Sequence, residues 1–480
     1  METNKKNIIL LDVFGNFVNS ILENERIDIA SMIVENSDMA KFYKEKHGNR
    51  IKSFYYRILE NNDEFNALNK TDYNLSYLEI EDFRSTQLKV EHYLHRELTD
   101  ISTIQYRYFL ALAYWLDFFN KNKIDMVFSA HIEHGGIWDT IIIDIAKKRN
   151  IPVYVISVTT GIGKQDEVDT LVYLNNNTFM DVTKFELKSF KISDYIAKLT
   201  KAYSPLVASY SKNNIKEKLV YELKKRMHSF KQYKISLKDY YKRTKNYKYW
   251  YNLFSDEIKD NYQYMRDLST IYDKISTLPV EGEKYIYFSL RLEPEATTMA
   301  RSIPSTQLFL IKWLSDVLPN DWKIYVKDHP AQYNLCGDMF YFLRNISVYR
   351  NYDFLKTITD IPKVRLIKLN QSSDTLVENS GAVASISGSV TLKTVFEKKP
   401  LILFGQGLNM MENLKEVFVI DDIASLKTAV EKIVSGFTPV YDDIEDVIKK
   451  YTFCLPEYSC QKDRPPVEDI KKLIGVLLKD

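Results

Sequence analysis

The chain has 480 residues, 45% hydrophobic and 27% charged, which places it in the soluble globular class with two or three domains. A formal net charge of +2 gives no reason for a general affinity for nucleic acid. Three cysteines (Cys336, Cys454, Cys460) without paired metal spacing fit a reducing cytoplasm, and no apolar run reaches the roughly 20 residues of a membrane-spanning helix.

Residues 7–13 predict a buried strand, followed by a turn at residues 14–16. Residues from about 20 to 120 carry helical periodicity and few glycines. A strand–turn–helix–strand unit follows, with strands at residues 125–129 and 151–156 and a helix at residues 138–150 that ends in Lys147, Lys148 and Arg149, as suits a negative helix terminus. This is the β-α-β grammar of a parallel sheet. Ligands of such sheets bind outside the carboxyl ends of the strands. The turn residues His131, Glu133 and His134, the nearby carboxylate Asp139, and Thr160 and Gly161 after the second strand are therefore site candidates. His131 and Glu133 suit general acid/base work, whereas the histidine pair lacks a third ligand and predicts no metal site. The alternative is that the histidines only cap the following helix.

Residues from about 180 to 278 lack this grammar and predict helices rich in Lys and Tyr. From Lys212 to Lys248 there are thirteen Lys/Arg against three acids, with six aromatic residues interleaved. Such a run is either a solvated helical face or a surface for anionic lipid or glycan, and so a possible peripheral membrane contact. A second α/β series begins at residues 284–290, with later strands at 322–326, 364–366, 382–386, 400–404 and 417–420 and helices at 307–318 and 391–398. An amphipathic helix at residues 470–478 closes the chain. The expected organisation is an N-terminal domain (residues 1–180), a basic helical segment (181–278), a C-terminal domain (279–455) and a final helix (456–480) that packs back on the N-terminal domain.

Three constellations in the second series carry chemistry. Lys327, Asp328, His329 and Pro330 follow a strand, and the proline stiffens the turn that presents the imidazole. The turn either holds a phosphate or is only structural. Ser387, Gly388 and Ser389 precede a helix, where unpaired N–H groups and the dipole favour an anion, although a capped helix start accounts for them equally. Glu397 stands eight residues beyond Ser389, as a ribose acceptor or a plain surface carboxylate. Glu293 and Glu295 flank Pro294 after the strand at 284–290, placed to orient substrate groups or, for Glu295, to complement a helix dipole.

Residues 288–298, with Pro294-Glu295-Ala296-Thr297-Thr298, together with Lys327-Asp328-His329-Pro330 and the Ser387-Gly388-Ser389…Glu397…Lys399-Pro400 element, resemble segments of bacterial capsule and surface-polysaccharide biosynthesis proteins. That family is similar to GT-B glycosyltransferases of the Kdo-transferase type, which use a CMP-activated keto sugar acid. The resemblance implies an α/β GT-B fold, two Rossmann-like domains facing across a cleft, here with a helical insertion. It implies transfer of Kdo or a nonulosonic acid from a CMP-sugar to a surface-glycan or lipid-linked acceptor, with no cofactor and no bound metal. By the same resemblance His329 contacts the donor phosphate, Lys327 and Pro330 complete its turn, Ser387 and Ser389 hold phosphate or carboxylate about Gly388, and Glu397 meets ribose or base. The base or nucleophile would be Glu133 or His131. The chain departs from the pattern at Lys398, a glycine in the family, and at Arg291-Leu292-Glu293, where the family has His-Tyr-Gln. Those departures leave room for a UDP- or GDP-sugar transferase or epimerase. A non-catalytic glycan- or membrane-associated assembly factor is the reading from a different class.

Overall fold

A computed structural model describes residues 5–11, 16–34, 37–51, 54–56, 71–95, 100–129, 133, 136–158, 170–176, 178–185, 256–293, 307–333, 346–455 and 468–478. His131, His134, Thr160, Gly161, Glu295 and the basic run from Lys212 to Lys248 lie outside these residues. The chain divides into two compact units. The first draws on Met1–Leu94, Asp100–Leu199 and Ile444–Asp480, the second on His95–Thr99 and Thr200–Asp443.

The first unit is built on strands β1 (Lys6–Leu11), β2 (Ile27–Val34), β3 (Phe54–Tyr56), β4 (Met126–Ser129), β5 (Val153–Val158), β6 (Thr170–Asn176) and the short β7 (Thr178–Phe179). Their order across the sheet is β6-β5-β4-β1-β2-β3, with β7 paired to β6. Strands β1 to β5 pair in parallel and β6 runs antiparallel to β5. A returning strand, Phe453–Leu455, adds antiparallel to β6. The helix Glu468–Leu477 brings Leu473, Ile474 and Leu477 against Val18, Ile21 and Leu22 of the helix Asn16–Leu22 in one apolar cluster. The C-terminal stretch therefore belongs to the first unit from Ile444 onward.

Strand β2 departs from the helical reading of residues 20–120. Its eight residues are nearly all buried, Ser31 included. A strand covered on both faces shows no polar alternation, so its continuous apolar run has no period that separates it from a helix face. Strand β6 was not expected from the sequence either.

The second unit carries β8 (Lys284–Ser289), β9 (Trp322–Lys327), β10 (Val364–Leu366), β11 (Ala382–Ser385), β12 (Leu401–Leu403) and β13 (Phe418–Val419). All pair in parallel in the order β10-β9-β8-β11-β12-β13. Both units thus share the 3-2-1-4-5-6 order of a Rossmann fold, in which strand order reverses beside the first strand. The fold is α/β with two Rossmann-like units. In the second unit the reversal lies between β8 and β11, where Tyr285, Tyr287, Tyr325 and Val383 pack with Leu376 and Val377 of the helix Ser373–Asn379. Among the described residues no helix is long and apolar enough to cross a membrane.

Candidate functional site

The β8/β11 reversal opens a cavity of about 160 Å³, lined by Ser289 and Arg291 after β8, Lys327, His329 and Pro330 at the end of β9, Ser373 and Asp374, and Ser389 and Lys393. Sheet register explains the convergence. Ser289 pairs with Lys327 across β8 and β9, and Ser385 of β11 donates to the Ser289 carbonyl at 3.4 Å. Three strand ends therefore finish at one level.

Lys327 is the last residue of β9 and is 3% exposed, with its ammonium donating to Ser373 Oγ at 3.0 Å. Burial pushes its pKa down to about 8, against the raising fields of Asp328 and Asp374. It is a desolvated cation beside a cavity, an arrangement that an incoming anion would stabilise. His329 and Ser389 are exposed at the same cavity. Gly388 is the N-cap of the helix Ser389–Phe396 and has no side chain to cap it; the Thr391 N–H turns to the Gly388 carbonyl at 3.1 Å, and Ser389 and Val390 start the helix beside the cavity.

The rim is held from behind by a buried charge network. Arg350, fully buried, donates through Nε to Asp328 Oδ2 at 2.9 Å and also binds the Glu293 carboxylate. Its Nη2 donates to the Arg291 carbonyl at 3.1 Å. Burial opposes the charge on Arg350, but Asp328 and Glu293 outweigh it and raise its pKa. Asp328 accepts the His329 N–H at 2.8 Å and the Tyr333 hydroxyl at 2.9 Å. Two buried glutamines complete the rim. Gln307 accepts from the Arg291 N–H at 2.7 Å and donates back to its carbonyl at 3.2 Å. Gln332 does the same for Glu293, at 2.9 and 2.8 Å. Each amide imitates one rung of a strand ladder, so the loop after β8 stays fixed beyond Leu290, whose N–H makes the last backbone bond to β9, to the Lys327 carbonyl at 3.0 Å.

In the first unit Glu133 follows β4, the strand beside that sheet's own reversal, and is 1% exposed. Lys89 bridges it at 3.2 Å and Asp144 at 3.1 Å, while Thr86 Oγ1 donates to Asp144 at 2.7 Å. Burial works against the Lys89 charge, yet the two carboxylates prevail and raise its pKa. Asp139 caps the helix Thr140–Lys148, accepting N–H bonds from Thr140 at 2.6 Å and Gly136 at 2.8 Å.

No protein-family model and no curated protein matches the chain. Among solved structures it is similar to a UDP-GlcNAc 2-epimerase from Methanocaldococcus jannaschii at 12% identity, covering 99% of this chain and 100% of that one, with a TM-score of 0.25. It is similar also to the β-Kdo 2,7 transferase KpsC of Thermosulfurimonas dismutans (10% identity, 93% and 99% covered, TM-score 0.29). A third is the calicheamicin glycosyltransferase CalG4 (10%, 93% and 94%, 0.23).

The structure brings Lys327, His329, Pro330 and Ser389 to one cavity, with Gly388 and the buried Ser387 in the turn behind Ser389. It sets two other expected residues elsewhere. Glu293 turns its carboxylate to Arg350, and Glu397 lies at the far end of the helix Ser389–Phe396, bound at 2.8 Å to Lys393. Ser373 and Asp374 were missed, although the Ser372-Ser373-Asp374 run before Leu376 and Val377 has the form of a helix start, with Ser372 as the cap. Arg350, Gln307 and Gln332 left no local signal, because the rim residues that each holds stand at least sixteen positions away.

Proposed function

We propose that the chain is a GT-B glycosyltransferase that moves an acidic keto sugar, Kdo or a nonulosonic acid, from a CMP-sugar to a bacterial surface-glycan acceptor. The observation that carries this is the buried Lys327 ammonium at the β8/β11 cavity, with His329 and Ser389 beside it. In the transfer an acceptor hydroxyl oxygen bonds to the anomeric carbon. The carbon–oxygen bond to the phosphate breaks, its electron pair leaves with CMP, and the hydroxyl proton passes to a base. Negative charge thus grows on the phosphate as the bond opens. A cation already stripped of water gains most from that growth. Ser389 and the helix start add neutral donors, and the proline-stiffened turn holds His329 at the phosphate.

The cavity is smaller than the roughly 300–1,000 Å³ of a drug-sized site, so it takes the charged end of the donor and leaves the base and most of the sugar outside it. Glu133 is buried and paired to Lys89, which fits a fixed anion better than a mobile base. Thermal-shift titration with CMP, CDP, UDP and GDP tests the reading. CMP should raise the melting temperature and Lys327→Met should remove the effect. Stabilisation by UDP or GDP alone would move the chain to the transferases or epimerases of those nucleotides. No shift with any nucleotide would end the enzymatic reading.

A further inference from the structure

We propose that Arg291 is a second anion-reading group of the β8/β11 cavity, and that the ligand carries two anionic groups, a phosphate at Lys327 and a further phosphate or carboxylate at Arg291. This rests on the phosphate role of the cavity and adds the class of ligand it selects.

Arg291 lines the cavity two residues beyond the end of β8. Its backbone is pinned on both sides by Gln307, and its carbonyl also by Arg350. The point from which the side chain starts is therefore fixed before any ligand arrives. Its guanidinium rests on Gly388. A Cβ at position 388 would lie 2.2 Å from Arg291 Nη1 and 3.1 Å from Cζ. Gly388 itself has φ 105° and ψ 178°, a region that glycine alone enters readily. The turn thus leaves out a side chain where the guanidinium passes, which brings the fork to the start of the helix Ser389–Phe396. Lys327 reaches the same cavity from the neighbouring strand. The two cations differ in kind. The lysine is a point charge, whereas the planar fork of the arginine matches two oxygens of a phosphate or carboxylate at once. In this reading the lysine takes one anionic group of the ligand and the fork takes the other.

Calorimetric titration of the full chain with inorganic phosphate, pyrophosphate and phosphonoacetate tests this. The wild type should bind at least one of the two bis-anionic probes about tenfold or more tighter than phosphate. Arg291→Gln should erase that advantage, weakening the bis-anion far more than phosphate, and Arg291→Lys should restore part of it. An effect on pyrophosphate assigns a second phosphate, and one on phosphonoacetate a carboxylate. The proposal is overturned if the advantage survives in Arg291→Gln, or if the wild type binds phosphate but prefers neither bis-anion; both results leave the phosphate cavity standing. An equal loss for all three probes with a lower melting temperature would make Arg291 a structural brace and overturn it too. A wild type that binds none of the probes would remove the cavity's phosphate role and this proposal with it.

Discussion

Lys327 is the residue on which charge and function meet most closely. Its folded pKa, about 8, lies below the ordinary lysine value, so its buried charge costs stability below about pH 8. That cost disappears as pH rises through the folded value towards the unfolded one. Ligand binding has the opposite sign, because a bound phosphate favours the charged lysine. CMP affinity should therefore fall as pH is raised from 8 to about 10, and Lys327→Met should flatten the profile. In the same variant, without ligand, the melting temperature at pH 7 should hold or rise. A drop of several degrees would show that the lysine is there for the fold. Arg350 behaves differently: it is the cation between Asp328 and Glu293, and Arg350→Met leaves those two buried carboxylates without it. Urea unfolding should register a loss of about 3–5 kcal/mol. Gly388→Ala should cost about 1–3 kcal/mol from backbone strain alone, and a second change, Arg291→Ala, should relieve only the steric part.

Elements of the second unit were largely legible in sequence, and the reason is physical. Strands β8 to β13 are short apolar runs bounded by polar turns, so their limits fall within about two residues of the reading. Strand β2 was illegible because both of its faces are covered, and the helix Ser373–Asn379 because seven residues span too few turns for a period to emerge. The Lys327–Pro330 and Ser387–Ser389 turns were legible as rim elements, since each follows a strand. What fixes them was not, since Arg350 and both glutamines act across sequence. Position 398, where the resemblance to capsule-biosynthesis segments leads one to expect glycine, has a structural meaning. Lys398 follows the helix Ser389–Phe396 in the left-handed region at φ 53°, and its N–H bonds the Val395 carbonyl at 3.0 Å. Glycine is the usual occupant of such a helix end. Lys398→Gly should therefore raise stability by about 1 kcal/mol at most, read as a shift of the urea midpoint.

At the scale of the whole molecule, one strand order appears twice, and each copy reverses where candidate residues stand: Glu133 after β4, and Lys327 with Ser389 around β8 and β11. The chain returns to its first unit at the end, and Leu473, Ile474 and Leu477 complete an apolar cluster begun by Val18 and Ile21. Leu473→Ala should cost the first unit about 2–5 kcal/mol while CMP affinity in the second stays unchanged, a separation that unfolding and titration measured together would reveal. The proposed activity depends on where a nucleotide sits. A crystal structure of the chain grown with CMP locates it directly. The account predicts phosphate density within hydrogen-bonding reach of Lys327 Nζ and Ser389, whereas CMP held elsewhere, with that cavity filled only by water, would contradict it.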